Sequence, residues 1–404
     1  MRLTTKIYVA FRHLRSRAFQ TFSVVAIIAF SVGLAVTLFV LAQGLRLGLI
    51  RAIEPFDLIV GAKGSPYQLV LNTVFLQDIP VGNITWKDYI ELSNDVRIGF
   101  AVPLGFGDSY RGYPVIGATE DILKIRVRAS DPPWIRIMDG RWFEGGFEAV
   151  IGSQIAAESG LRVGGSFRTS HGLVTGMGEH ESDFIVVGIA KTTSGSYDRA
   201  IFVPLETIWA EHRHHDEDHE DEHEDEEHEE KIGDVTAILV HPRSYPDAYS
   251  LAVSFQDSAD KQLVFPAQTA IRLFSIMGRG EAFLSIIVYA VGVGALLTTL
   301  LVLYWSSAAR RGERVLLHVL GVSRNELMLI SWLEGTITLI AGVILGGLLG
   351  RLGAFAALNA LGGATAVNSA VPFTLQELVA PLILLAIGSL GSFFAAWQSK
   401  LTLD

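Results

Sequence analysis

The 404-residue sequence contains no cysteine. Disulfides, thiolate zinc sites, iron–sulfur clusters and cysteine nucleophiles are therefore excluded. The missing cysteine does not identify a compartment, because an exported domain can manage without disulfides. Charge is scarce as well: 18% of residues are Asp, Glu, Lys or Arg, against about 25% in an ordinary soluble domain. Half of the residues are hydrophobic, so disorder is excluded for most of the length and the composition leans towards a membrane. A basic patch of the kind that binds nucleic acid is also missing. The net charge of −10 is local: Glu211–Glu230 holds 13 acidic residues, six histidines and one arginine, a charge of −12 that leaves +2 for the remainder.

What the sequence does have is long apolar runs. A spanning helix needs about 20 largely apolar residues. No charged residue occurs between Arg17 and Arg46 or between Glu281 and Arg310, Leu327–Gly350 is interrupted only by Glu334, and Leu378–Trp397 is closed by Lys400. These runs predict four membrane helices, over 19–45, 282–309, 327–350 and 378–399. The first is too long for a cleaved signal segment, whose apolar region is about 7–15 residues, and it has no clean small-x-small site at its end. Arg2, Lys6, Arg12, Arg15 and Arg17 precede the first span, Arg310, Arg311, Arg314 and Arg324 separate the second from the third, and Lys400 follows the fourth. The positive-inside bias then places both termini (1–18 and 400–404) and the loop 310–326 in the cytoplasm. Residues 46–281 form one large extracytoplasmic domain, and 351–377 a short outer loop with a re-entrant or surface helix.

The 46–281 segment alternates short β-like runs with glycine turns, as in Glu148–Ile151, Ser166–Thr169, Phe184–Ile189 and Ala200–Val203. Helices are expected at Trp86–Leu92, Gln154–Glu158 and Pro246–Phe255. The fold class is thus an α-helical membrane protein with four transmembrane helices plus one large α+β extracytoplasmic domain between helices 1 and 2.

Gly61-Ala62-Lys63-Gly64-Ser65-Pro66 does not fit a phosphate-binding loop, which needs G-x-x-x-x-G-K-[ST]. The lysine precedes the second glycine, a proline follows, and the segment reads as a turn after a short strand. The loop Arg310–Arg324 is charged at its edges and apolar inside (Val315, Leu316, Leu317, Val319, Leu320). It can form a small amphipathic helix whose apolar face seats in a groove on a soluble partner or lies on the lipid surface. Glu334 lies seven residues into the third span, about 10 Å along it. Such a carboxylate faces a partner or a wet cavity, or sits near enough to the interface to reach water. Gly342, Gly346 and Gly350 recur every fourth residue, a small-xxx-small face for close helix packing within the subunit or across a dimer.

The acidic insert 211–230 carries His212, His214, His215, His219, His223 and His228. Imidazole and carboxylate suit zinc, and also nickel or copper. His215, His219 and His223 are spaced at four and would share a helical face. At −12 the metal-free tract should repel itself and stay disordered, with loose, multiple and exchangeable metal binding; the alternative is a solvated insert with no ligand. His171, His180 and His241 read as ordinary surface residues. Neither G-x-S-x-G nor H-E-x-x-H occurs, so a hydrolase site is not indicated.

The run Arg310-Arg311-Gly312-Glu313-Arg314, then Leu316, Val319-Leu320-Gly321-Val322-Ser323-Arg324 and Leu333-Glu334-Gly335, resembles the cytoplasmic loop and third helix of FtsX/MacB-type ABC transporter permeases. Ala10-Phe11-Arg12-His13-Leu14-Arg15-Ser16-Arg17 is similar to that family's basic elbow helix. Gly140-Arg141-Trp142-Phe143, Val150-Ile151-Gly152, Leu161-Arg162-Val163-Gly164 and Ile201-Phe202-Val203-Pro204 are similar to the MacB-type periplasmic core. The resemblance implies a bacterial inner-membrane permease that pairs, as a homodimer, with a separate cytoplasmic ABC ATPase, with or without a periplasmic adaptor or substrate-binding protein. Its ATPase-coupling residues would be Arg310, Arg311, Glu313, Arg314, Leu316, Leu320, Gly321, Ser323 and Arg324. Two departures stand out: MacB carries a fused N-terminal ATPase, whereas about 18 residues precede the first span here, and the family pattern has no acidic histidine tract. The expected function is mechanotransmission linked to zinc export or homeostasis, with ATP entering only through the partner. The alternatives are an FtsX-like regulator or lipoprotein-extraction subunit, and a metal sensor without ATP coupling.

Overall fold

A computed structural model describes residues 3–171, 182–217, 233–276, 278–309, 311–365 and 373–401. The chain begins with α1 (Leu3–Ser16) and α2 (Ala18–Ile53). It continues through β1 (Leu58–Ala62), α3 (Pro66–Thr73), α4 (Trp86–Ser93), β2 (Ile98–Tyr110), β3 (Tyr113–Ala118) and β4 (Ile137–Gly140). Next come β5 (Glu148–Ile151), α5 (Ser153–Glu158), β6 (Ser166–Phe167), β7 (Ser170–His171), β8 (Phe184–Ala190), β9 (Ile201–Pro204) and α6 (Leu205–Glu217). Then follow β10 (Ala237–Pro242), α7 (Tyr245–Ser254), β11 (Lys261–Val264) and α8 (Pro266–Ile276). The chain closes with α9 (Gly278–Ala308), α10 (Arg311–Val319), α11 (Arg324–Thr365) and α12 (Gln376–Leu401). Two compact units result: Met1–Arg46 with Gly278–Ala360 and Ser369–Asp404, and Leu47–Met277 with Leu361–Asn368.

The first unit is the helical one. Ala18–Ile53, Ile286–Ser306, Arg324–Ala360 and Glu377–Gln398 are each long and apolar enough to cross a membrane. Two of these helices outrun the spans read from charge. Nothing between Arg46 and Ile53 breaks a helix, so α2 continues until Glu54-Pro55, where the proline disfavours helical backbone at the residue before it. Likewise, α11 does not stop at Gly350. Its 42 residues extend about 63 Å, because Leu352–Leu361 is rich in alanine and leucine and lacks proline. The segment expected as a short outer loop over 351–377 is therefore helical as far as Thr365, and 366–372 lie outside the described residues. Val24, Ile28, Val32, Leu303, Leu339, Val343 and Leu384 form the buried core of this unit.

The second unit is a mixed sheet in the order β11-β1-β10-β2-β3-β9-β5-β8-β4, with β6 on β8 and β7 on β2. The pairs β3–β9 and β5–β8 are parallel and the others antiparallel. The β2–β3 hairpin turns through Arg111 and Gly112, both at positive φ, the backbone a tight twisted hairpin demands.

Side chains alternate across a strand with period two, and here both faces are buried. Ile59, Leu239, Ile116, Val150 and Phe202 point into one core. Their neighbours point the opposite way: Leu58, Val60, Ile238 and Val240 into a second core, and Val115, Ala149, Ile151, Ile201 and Val203 into a third. This explains why the strands read as nearly continuous apolar runs. The first core is covered by Leu69 and Val70 of α3, Ala270 of α8 and the end of α2 at Ala52 and Ile53. The second is covered by α4 and α7 through Leu92, Ala248 and Leu251, the third by α5 and α6 through Ile155, Ala156 and Ile208. The helices expected at 86–92, 154–158 and 246–255 coincide with α4, α5 and α7 to within a residue or so. The strand expected over Ser166–Thr169 is shorter, ending at Phe167.

Candidate functional site

The loop between α9 and α11 folds as two back-to-back helix caps. Apolar residues at 315, 316, 319 and 320 share one side of a 3.6-residue helix, and α10 forms over Arg311–Val319. It ends at Gly321, whose φ of +95° is open to glycine at little cost. The Val322 N–H donates to the Leu317 carbonyl at 3.1 Å and the Gly321 N–H to the His318 carbonyl at 2.9 Å, the paired bonds of a Schellman stop. Ser323 then starts α11: the Glu326 N–H donates to the Ser323 carbonyl at 3.0 Å and the Ser323 hydroxyl to the Glu326 carboxylate at 3.2 Å. The LGVSR run is thus a helix stop followed within two residues by a helix start.

Ahead of these caps, α10 leaves its apolar side uncovered. Val319 is 78% and Leu320 72% exposed, and Val315 and Leu316 are exposed as well. Arg310 lies outside the described residues, and of Arg311, Glu313 and Arg314 only the backbone is placed, in α10.

Glu334 is buried, 4% exposed. Its Oε1 lies 2.9 Å from His13 Nδ1, a contact that joins α1 to α11. The Thr338 hydroxyl donates to the Glu334 carbonyl at 2.7 Å. Of the readings open in the sequence, the partnered one describes Glu334 here. Sequence reasoning missed His13 because a histidine 321 positions away carries no local signal.

The glycine face of α11 packs inside the subunit. A Cβ at Gly346 would lie 2.7 Å from the Ala29 carbonyl oxygen and 2.8 Å from Val32 Cβ; one at Gly350 would lie 2.6 Å from the Gly33 carbonyl oxygen. Gly342 meets Ile28 in the same way. The two helices approach so closely that the Thr37 hydroxyl, in α2, reaches the Gly350 carbonyl at 3.0 Å. Gly33 and Thr37 were not singled out beforehand, although their i, i+4 spacing is the complement of the α11 stripe.

The histidine tract begins inside a helix, and 218–232 lie outside the described residues. Helix α6 runs to Glu217 because Leu205 and Ile208 dock on the sheet where glycine leaves room: a Cβ at Gly117 would lie 2.8 Å from Ile208 Cγ1, and one at Gly105 2.9 Å from Leu205 Cδ1. Glu211, about one turn beyond Ile208, is buried and accepts from the Thr169 hydroxyl at 3.3 Å. It belongs to the domain rather than to the solvated tract. The backbone of His212, His214 and His215 continues this helix, whereas His219, His223 and His228 lie outside the described residues. Among the described residues, no group of three or more potential ligands converges on a metal position.

The other motifs fall into structural roles. The Lys63 ammonium donates to the Ser258 carbonyl at 3.0 Å, and Ser65 caps α3 ahead of Pro66, so 63–65 turn the chain from β1 into α3. His241 is not isolated: it stacks on Phe100 at 4.9 Å and pairs with Asp57. That hydrogen bond holds the imidazole above its usual value, with partial burial acting the other way. Burial, reinforced by a hydrogen bond to Glu158, pushes the Tyr113 phenol up to about 12.

The MacB-like periplasmic core domain family matches residues 21–271, 251 of 404 residues. The chain belongs to this family. With its four apolar helices it is a permease of the FtsX/MacB type. The family match runs from inside α2 to inside α8, so it spans the whole MacB-like sheet. Among solved structures, the crystal structure of the extracellular domain of the noncanonic ABC-type transporter YknZ from Gram-positive bacteria is similar at 13% identity and a TM-score of 0.31, covering 52% of this chain and 99% of that one. No curated protein matches.

Proposed function

We propose that this MacB-type permease is driven by a separate cytoplasmic ATPase that seats on α10, and that it transmits the resulting motion to its large domain. The observation that carries this reading is the uncovered apolar face of α10, whose C-terminal end is stopped at Gly321 directly before α11 starts at Ser323. An apolar helix face of this kind seats in a groove on a soluble partner, and the tight stop-and-start at 321–323 would pass a push on α10 to α11. Helix α2 is one uninterrupted helix of 36 residues whose last turn contributes Ala52 and Ile53 to the core of the sheet domain. We take this helix as the covalent path by which motion would reach the domain. The Lys/Arg distribution orients the chain with α10 and both termini inside the cytoplasm and the MacB-like domain outside, in a bacterial inner membrane. Two such subunits would complete the assembly with two ATPase chains.

The histidine tract links the system to zinc. It offers six imidazoles among acids, on a stalk (α6) anchored to the domain by Leu205, Ile208 and Glu211. Zinc binding there relieves the local charge of −12, so the tract would capture or report external metal at the moving domain. Zinc titration of the full chain in detergent against a competing chelator, beside a chain lacking 211–230, tests this. Micromolar or tighter binding lost with the deletion is the expected result; equal binding by both chains, or none by either, contradicts the zinc link.

A further inference from the structure

Helix α1 has two faces with different partners. Ala10 and Leu14 are buried and His13 reaches Glu334, so this side is fixed to the helical unit. The other side carries Ile7, Tyr8 and Phe11, all exposed. On a helix, residues four apart stack on one face, which places Arg15 one turn beyond Phe11 and Arg12 one turn beyond Tyr8. Arg12 Nη1 lies 3.5 Å from the Tyr8 hydroxyl, and both arginines are exposed. Past the turn at Arg17, Phe19 and Phe22 at the start of α2 are 86% and 69% exposed. The arginine pair therefore stands between two groups of uncovered aromatic rings.

We infer that this face binds anionic phospholipid, with Arg12 and Arg15 holding the headgroup phosphate while Tyr8, Phe11, Phe19 and Phe22 sit at the acyl boundary. Aromatic rings are favoured at that depth, and a half-apolar, half-basic helix lies in the interface plane. Charge complementarity selects the lipid: the first acidic residue of the chain is Glu54, so α1 itself carries no carboxylate to offset Arg12 and Arg15. Arginine rather than lysine at the two exposed positions suits bidentate recognition of a phosphate. The consequence is that α1, through His13 and Glu334, ties the third span to the surface charge of the bilayer. This inference needs the chain to be in a membrane but does not need it to couple to an ATPase.

The test is native mass spectrometry of the full chain released from nanodiscs of equimolar phosphatidylglycerol and phosphatidylcholine. The wild-type chain should retain phosphatidylglycerol over phosphatidylcholine on the order of tenfold, each arginine near the surface contributing about fivefold before overlap. Arg12→Gln with Arg15→Gln should reduce the ratio to near parity, whereas Arg12→Lys with Arg15→Lys should fall between the two, keeping the charge but losing the bidentate fork. Should the glutamine variant fail to fold, the wild-type ratio is measured at rising salt, which must erode an electrostatic preference. No preference in the wild type, an undiminished one in the glutamine variant, or one indifferent to salt overturns the inference. So does a glutamine variant that keeps its lipid ratio but no longer co-purifies with ATPase activity, because the face would then belong to a protein partner.

Discussion

The helical unit and the MacB-like domain use the same residue, glycine, for opposite purposes. In the domain, Gly82, Gly107, Gly112, Gly140, Gly145, Gly146, Gly160 and Gly164 adopt positive φ, and they turn a chain whose stability resides in large apolar side chains. Phe184, Phe202 and Tyr197 are almost wholly buried there. In the spans, glycines such as Gly346 and Gly350 have helical backbone and matter for the side chain they lack. The reason lies in the surroundings. Burial of apolar area drives packing where water is the alternative, but lipid is as apolar as leucine, so helices in a bilayer gain by close approach and a few polar contacts. The domain holds itself by volume, and the bundle by contact between backbones.

The sharpest way to break this contrast is to damage one logic at a time and follow hydrogen exchange across both units. Phe202→Ala removes a buried ring that packs against Trp142 and Tyr197. It should destabilise the domain by about 3–5 kcal/mol and raise exchange throughout the sheet, with the α2–α11 contact unchanged. Gly346→Val drives a side chain into Ala29 and Val32. It should cost about 1–3 kcal/mol and raise exchange in α2 and α11 while the sheet stays protected. Gly347→Ala meets no atom within 4 Å and should be close to neutral. If both glycine variants behave alike, close approach is not what the stripe provides.

The smallest expected effect is electrostatic. His241 is held above its unfolded value by Asp57. A group raised in this way stabilises the fold below its unfolded value, near 6.5, and that contribution is lost as pH rises through the folded value. Both partners are about half exposed, so the effect should stay under about 1 kcal/mol. The wild-type domain should therefore lose slightly more stability than Asp57→Asn between about pH 6 and pH 8; identical pH profiles would remove the pair from the account.

Much of this architecture is legible in the chain. Spans, the amphipathic loop and the glycine stripe follow from periodicity and charge, which are local properties. What escaped is non-local or continuous. His13 finds Glu334 only when α1 folds against α11. The extensions of α2 to Ile53 and α11 to Thr365 escaped because a charge filter marks where lipid ends, not where a helix does. The same filter merged the root of α6 with the acidic tract, since Glu211 looks like its neighbours in sequence and is separated from them only by the turn of the helix that buries it. The β2–β3 hairpin, with arginine rather than asparagine or aspartate before its glycine, lacked the usual turn signature.

The most direct test of the account is whether ATP hydrolysis travels with α10. The tagged chain should be purified from its native membranes beside a Val319→Asp, Leu320→Asp variant, with vanadate-sensitive ATPase activity measured in both preparations. The account predicts activity with the wild type and at least about a tenfold loss in the variant, which would correspond to about 1.4 kcal/mol or more of lost association. Undiminished activity in a folded variant, or a wild-type chain that carries none, would contradict it.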